Sequence, residues 1–204
     1  IGRMGGEYVL EALIAALSDR ERAVRIAGAK GLAALGDPAA AQVLIASLGD
    51  GADTDVFDAA RAGLVSMGEK AWPDLVRTVN QPMGRIRREA ALILAEQSHP
   101  DAVSPLIAIL TASPKDARVA AELAVLTCID MRGQADPSRS WWDWWDGVRH
   151  DDATLWFRAA LERAGVAPPP PGALEGGGTV QGRSFLVSQM ARPEPWLVER
   201  ARRE

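Results

Sequence analysis

Two stretches of this chain can be laid over one another almost residue for residue. "VRIAGAKGLAALGD" (24–37) matches "VFDAARAGLVSMGE" (56–69) at an offset of 32 residues. Val24 falls on Val56, Ala27 on Ala59, Leu32 on Leu64, Leu35 on Met67 and Gly36 on Gly68. A third copy, "IRREAALILAEQSH" (86–99), follows 30 residues after the second, and a weaker fourth begins near Val119. Repetition on this scale constrains the fold more than any composition does, because each copy must be one supersecondary unit that cannot bury its apolar face alone.

The unit is a pair of helices. A shorter apolar segment precedes each copy: "YVLEALIAALSD", "AAQVLIASLGD", "AWPDLVRTVNQ" and "AVSPLIAILTAS". Within the first copy, Val24, Gly28, Leu32 and Leu35 recur at helical spacing and predict one apolar stripe. Ala27, Gly28, Ala59 and Ala60 are small where that stripe meets its partner, which lets two helices approach closely. Gly36 and Gly68 suit a left-handed helix end, and Asp37-Pro38 suits the start of the next helix. His99-Pro100 repeats that punctuation. Strand-favouring residues are scarce, with one Tyr and three Phe. The expected fold class is therefore all-α: a right-handed α-solenoid of helix pairs with a Trp-rich C-terminal cap.

The "VRxxAxxxLxxxGD" frame resembles HEAT repeats, in particular the short bacterial class first noted in phycobilisome lyases. The resemblance covers about residues 7–130. It implies a stacked helical array and leaves function open, since such repeats serve many partners. The expected organisation is a repeat array of about four helix pairs over 1–130, a Trp-rich helical cap over 131–166, a Pro/Gly linker over 167–183 ("VAPPPPGALEGGGTVQGR" begins just before it), and the start of a further repeat over 184–204. The chain begins at Ile1 and ends in "WLVERARRE", as expected of a piece from a longer protein.

The segment "WWDWW" (141–145) holds four of the seven tryptophans. At about 100° per residue, the four fall within an arc of roughly 160° on a helix, with Asp143 and Asp146 on the other side. Pro137 and Ser138 fit the start of that helix, and Asp151 or Asp152 could cap another, "ATLWFRAALERAG". A solenoid's last repeat exposes an apolar face that needs a lid. Trp141, Trp144, Trp145 and Trp156 are therefore expected to form a structural cap, packed on residues such as Leu123 and Leu126, with Trp142 the most exposed. The competing expectation is an exposed aromatic platform for a ligand. The arrangement also resembles a recurrent bacterial one in which a HEAT array ends in "LTG-x-D" before a W-x-x-WW helix; here "LTCID" carries Cys128 in place of the glycine.

Catalytic constellations are hard to draw. His150 lies beside Asp151 and Asp152, but ligands so close in sequence need a loop folded around the ion, so a solvated loop and helix cap are expected instead. Cys128 is the single cysteine, which excludes an internal disulfide or a cysteine zinc cluster. "GGG" (176–178) follows no strand and opens no helix, unlike a phosphate loop. No catalytic residue, metal or cofactor is expected. The net charge of −4 at pH 7 and a pI of about 5.3 argue against nonspecific nucleic-acid binding, and no apolar stretch is long enough to span a bilayer.

Charge does cluster at the starts of the second helices: Arg20, Arg22 and Arg25 in the first, Asp53, Asp55 and Asp58 in the second, Arg85, Arg87 and Arg88 in the third. This mixed-charge edge is either solvated surface or a polypeptide groove. Arg22, Arg25, Asp58, Arg85 and Arg88 are the candidate protein-binding residues. The expected function is a noncatalytic interaction or scaffold module whose partner is a protein, a peptide or another domain of the same chain. The alternatives are a HEAT-like DNA glycosylase for alkylated bases, which the acidic balance opposes, and a relative of bilin lyases, for which no tetrapyrrole pocket is marked.

Overall fold

The structure is a computed structural model that describes residues 2–49, 54–82, 84–127, 129, 131, 134–151, 155–156, 159 and 162. Among these residues there are nine α-helices and no strand: α1 (Gly2–Ala16), α2 (Arg22–Leu35), α3 (Pro38–Ala46), α4 (Thr54–Met67), α5 (Trp72–Val79), α6 (Arg85–Glu96), α7 (Val103–Ala112), α8 (Ala117–Thr127) and α9 (Pro137–Val148). Short 3-10 turns lead into α5 and α7. The fold is all-α and its helix pairs are those of an α-solenoid. Cys128, Asp53, Asp152, the expected linker over 167–183 and the expected further repeat over 184–204 lie outside the described residues.

The chain divides into two compact units, Ile1–Gln97 and Ser98–Glu204. The division falls inside the span expected to be one array, between the third helix pair and the fourth.

In the first unit, α1/α2, α3/α4 and α5/α6 are the successive pairs, and the second helices α2, α4 and α6 pack side by side while α3 packs on α5. The helix ends follow local chemistry. Gly36 and Gly68 both sit at positive φ, 61° and 55°, where a side chain would be strained. Asp37 caps α3 by accepting from the Ala39 amide at 2.8 Å, with Pro38 in the first turn. The core is aliphatic: Leu32, Leu44, Leu48, Leu64, Leu75, Leu92, Ile93 and Leu94 are fully buried.

Close approach rests on absent side chains. A Cβ on Gly28 would lie 2.9 Å from Ala16 Cβ and 3.1 Å from the Leu13 carbonyl of α1. A Cβ on Gly63 would lie 2.7 Å from Ala33 Cβ, which belongs to the neighbouring second helix. Gly28 and Ala60 are buried as the stripe requires, but Ala27 is exposed: the contact runs through the residue one step further along the helix. The stripe is also incomplete in the first copy. Val24 and Leu35 remain 38% and 36% exposed, whereas their counterparts Val56 and Met67 are buried. Among the described residues α2 has a second-helix neighbour on one side only, α4, whereas α4 has two, α2 and α6.

In the second unit, α7 pairs with α8 and α9 lies along α7. His99 opens the 3-10 turn before α7, with its Nδ1 accepting from the Asp101 amide at 3.3 Å. Asp136 caps α9 by accepting from the Arg139 amide at 3.1 Å, with Pro137 next. The tryptophan helix thus begins where Pro137 and Ser138 indicate, although the capping side chain is the aspartate before them.

Candidate functional site

The second-helix edge of the first unit brings two of its five candidate residues, Arg22 and Arg85, into contact across neighbouring helices. Arg22 of α2 forms an ion pair with Asp55 of α4. Arg25 turns back, its Nη1 donating to the carbonyls of Asp19 (3.1 Å) and Arg20 (3.0 Å). Those donations cover carbonyls in the turn after α1, an interaction a guanidinium makes well. Arg85 of α6 places its guanidinium carbon 4.4 Å from the ring centre of Phe57 on α4, and donates to the Gly49 carbonyl at 3.3 Å. Arg88 pairs with Glu89 beside it. Asp58 is exposed on α4. The edge thus combines cross-helix braces at Arg22 and Arg85 with local contacts at Arg25 and Arg88, and Arg22 and Asp58 are its most open members among the five.

Behind the edge lies a polar network that periodicity did not reveal. Glu89 is only 4% exposed, and Arg61 of α4 reaches it at 3.7 Å while also pairing with Glu96. Gln42 of α3 donates to Asp74 of α5 at 3.2 Å, and Arg77 pairs with the same buried carboxylate. Trp72 Nε1 donates to the Gln97 side chain, whose amide in turn reaches the Leu64 carbonyl at 3.5 Å. Buried charges persist only when partnered. The one sequence signal was "RREAALILAE", where Glu89 stands at the head of an apolar run, but an acid there is equally compatible with a solvated turn.

In the second unit the tryptophans pack on one another. Trp141 meets Trp144 edge-on at 5.7 Å, and Trp156 meets Trp144 at 5.6 Å and Trp145 at 5.8 Å, at interplanar angles of 81°, 71° and 74°. Edge-to-face pairs are favoured by the ring quadrupoles. Trp141 and Trp156 are buried, at 2% and 5% exposure. Trp142, Trp144 and Trp145 lie between buried and exposed, with the larger part of each residue covered. The helix packs on α7. Ser138 donates to the Leu110 carbonyl at 3.4 Å and Trp142 Nε1 to Thr111 Oγ1 at 3.1 Å, both on α7. Trp142 is thereby tied down, and Trp144 is left lining a cavity of about 570 Å³ with Trp156.

His150 and Asp151 are exposed. Among the described residues no group of three or more His, Cys, Asp or Glu is placed to hold a metal ion, and no helix is long and apolar enough to cross a membrane.

Helix pairs recurring every 30 to 32 residues, with second helices packed side by side in the first unit, define a helical-repeat protein of the α-solenoid class. The repeats themselves are HEAT repeats: the family model described as HEAT repeats matches residues 1–65, and that described as PBS lyase HEAT-like repeat matches residues 86–111. No curated protein matches the chain.

Proposed function

We propose that this chain is a noncatalytic protein-binding module, and that the second-helix edge carrying Arg22, Arg25, Asp58, Arg85 and Arg88 is its binding surface. The observation that supports it is the bracing itself. Arg25 and Arg85 are anchored on backbone carbonyls and Arg22 on Asp55, so charged groups are presented at set places on a rigid row of helices. Neighbouring helices pack about 8–10 Å apart, a spacing an extended polypeptide follows. The partner is a protein or peptide, or another domain of the same chain. Mixed charge makes binding salt-sensitive.

The test uses the two most exposed positions; Arg22→Glu also breaks the ion pair with Asp55, so its folding is checked alongside. Affinity capture with the wild-type chain is compared with Arg22→Glu and Asp58→Lys, at low and at high salt, with melting curves to confirm folding. Loss of the same captured protein from both variants and at high salt supports the assignment. An unchanged set of captured proteins sinks it.

A further inference from the structure

The first helix pair carries the sequence of an interior repeat without the burial of one. Val24 and Leu35 of α2 are each more than a third exposed, while Val56 and Met67, their counterparts on α4, are buried. The first helices differ in the same way. "LIAALSD" (13–19) lies over "LIASLGD" (44–50), which sets Ile14 on Ile45 and Val9 on Ala40. Ile45 and Ala40 are buried, whereas Ile14 is 37% and Val9 48% exposed, with Tyr8 beside it more open still. Gly31 likewise falls on Gly63. A Cβ on Gly63 would meet Ala33 of the preceding second helix, but the nearest atoms to one on Gly31 all belong to Leu13, within its own pair. The outer side of an end repeat is ordinarily polar. Here Val9, Ile14, Val24 and Leu35 make it apolar.

We propose that this face pairs with the same face of a second copy of the chain, giving a two-fold dimer through α1 and α2. The face continues an established interface. On the next pair the matching surface is buried, and α2 packs on both helices of that pair, α3 and α4. The occupant of the open face is therefore a helix of the same kind. The side of α2 that fills such a seat, the one carrying Ala33, already lies against Gly63 of α4. From this helix a second copy thus has only its own Val24 and Leu35 side to offer, and like face meets like face. Such a contact is isologous and closes at two copies. The surface suits self-pairing. Ala27 and Ala34 are exposed on the same stripe as Val24 and Leu35, so two α2 helices running antiparallel can approach closely. Val9, Ile14, Val24 and Leu35 then leave water on both copies at once, which drives association. The contact uses neither Arg22 nor Asp58, so it stands or falls apart from the proposed binding edge.

The experiment is sedimentation equilibrium on the whole chain over a concentration series, with melting curves for every variant. A monomer–dimer equilibrium with a micromolar dissociation constant is expected for the wild type. Val24→Glu with Leu35→Glu places charges in the contact and raises that constant about a hundredfold. Ala27→Arg, a single change at an exposed position, gives the same direction of effect and decides the matter where the double variant does not fold. Ala46→Glu with Ala62→Glu alters exposed positions of the next pair, on α3 and α4, and leaves the dimer unchanged. A wild type that stays monomeric at a hundred times micromolar concentration overturns the proposal. So does a dimer that persists in both α2 variants, or one that the α3 and α4 changes weaken equally. Association that grows beyond two copies overturns the two-fold arrangement.

Discussion

The contact between α2 and α4 and the contact between α7 and α9 solve the same problem in opposite ways. The first works by leaving side chains out. Gly63 faces Ala33 with no room for a methyl group, and the two backbones approach accordingly. The second works by putting in the largest side chain available, with Trp141 buried and its indole neighbours packed edge to face. A contact built on glycine fails when atoms are added, and one built on tryptophan fails when they are removed. Specificity is supplied differently too. Ion pairs and donations to carbonyls brace the second helices, while two hydrogen bonds from Ser138 and Trp142 set α9 on α7.

The largest effect should come from deletion in the aromatic contact. Trp141→Ala is expected to cost about 3–5 kcal/mol, as for other buried aromatic truncations, and Trp145→Ala less because that residue is less completely buried. Chemical denaturation of both variants checks it; equal losses would mean that burial does not govern this contact. Next comes the charge network. Arg61→Leu removes one cation from beside the buried Glu89, and a loss of up to about 3 kcal/mol is expected, since weakening the pairing of a buried charge is expensive. Glu89→Gln in the same background should recover part of it, and no recovery would show that Arg61 acts through packing alone.

Addition to the glycine contact should have a smaller effect. Gly63→Ala improves helix propensity, yet its new methyl must displace Ala33, and a net loss of about 1–2 kcal/mol is expected. Ala33→Gly added to it should restore most of the stability beyond the sum of the single changes, as a double-mutant cycle measures. Additive behaviour would break the comparison drawn above.

The smallest effect concerns pH. Burial lowers the His99 pKa from its usual 6.5, against a weaker upward pull from Asp101. The neutral ring is also the one whose Nδ1 can accept from the Asp101 amide. A lowered folded-state value means that this contribution is whole above pH 6.5. It is lost as pH falls from there through the lower folded value, because the unfolded chain takes up the proton first. His99→Asn retains a capping side chain without titrating, so the wild type should lose more stability than this variant between pH 7 and pH 5. Parallel losses would remove His99 from the pH response.

The repeat period, the helix-pair unit and the punctuation at Gly36, Asp37-Pro38 and Gly68 were all legible in the chain, because each depends on local conformation or on spacing along one helix. The candidate edge was legible as charge but not as contact. That Arg22 meets Asp55, or that Arg85 covers Phe57, depends on how two helices register, and no single-helix pattern carries that information. Glu89 and Arg61 went unnoticed for the same reason: whether a charged residue in a helical turn is solvated or buried is decided by the neighbour that closes over it. The tryptophan arc was likewise visible, but its neighbour was not. A helix face says that something must cover it; only packing decided that Ser138 and Trp142 bond to α7, and that Trp144 and Trp156 are left around an open cavity.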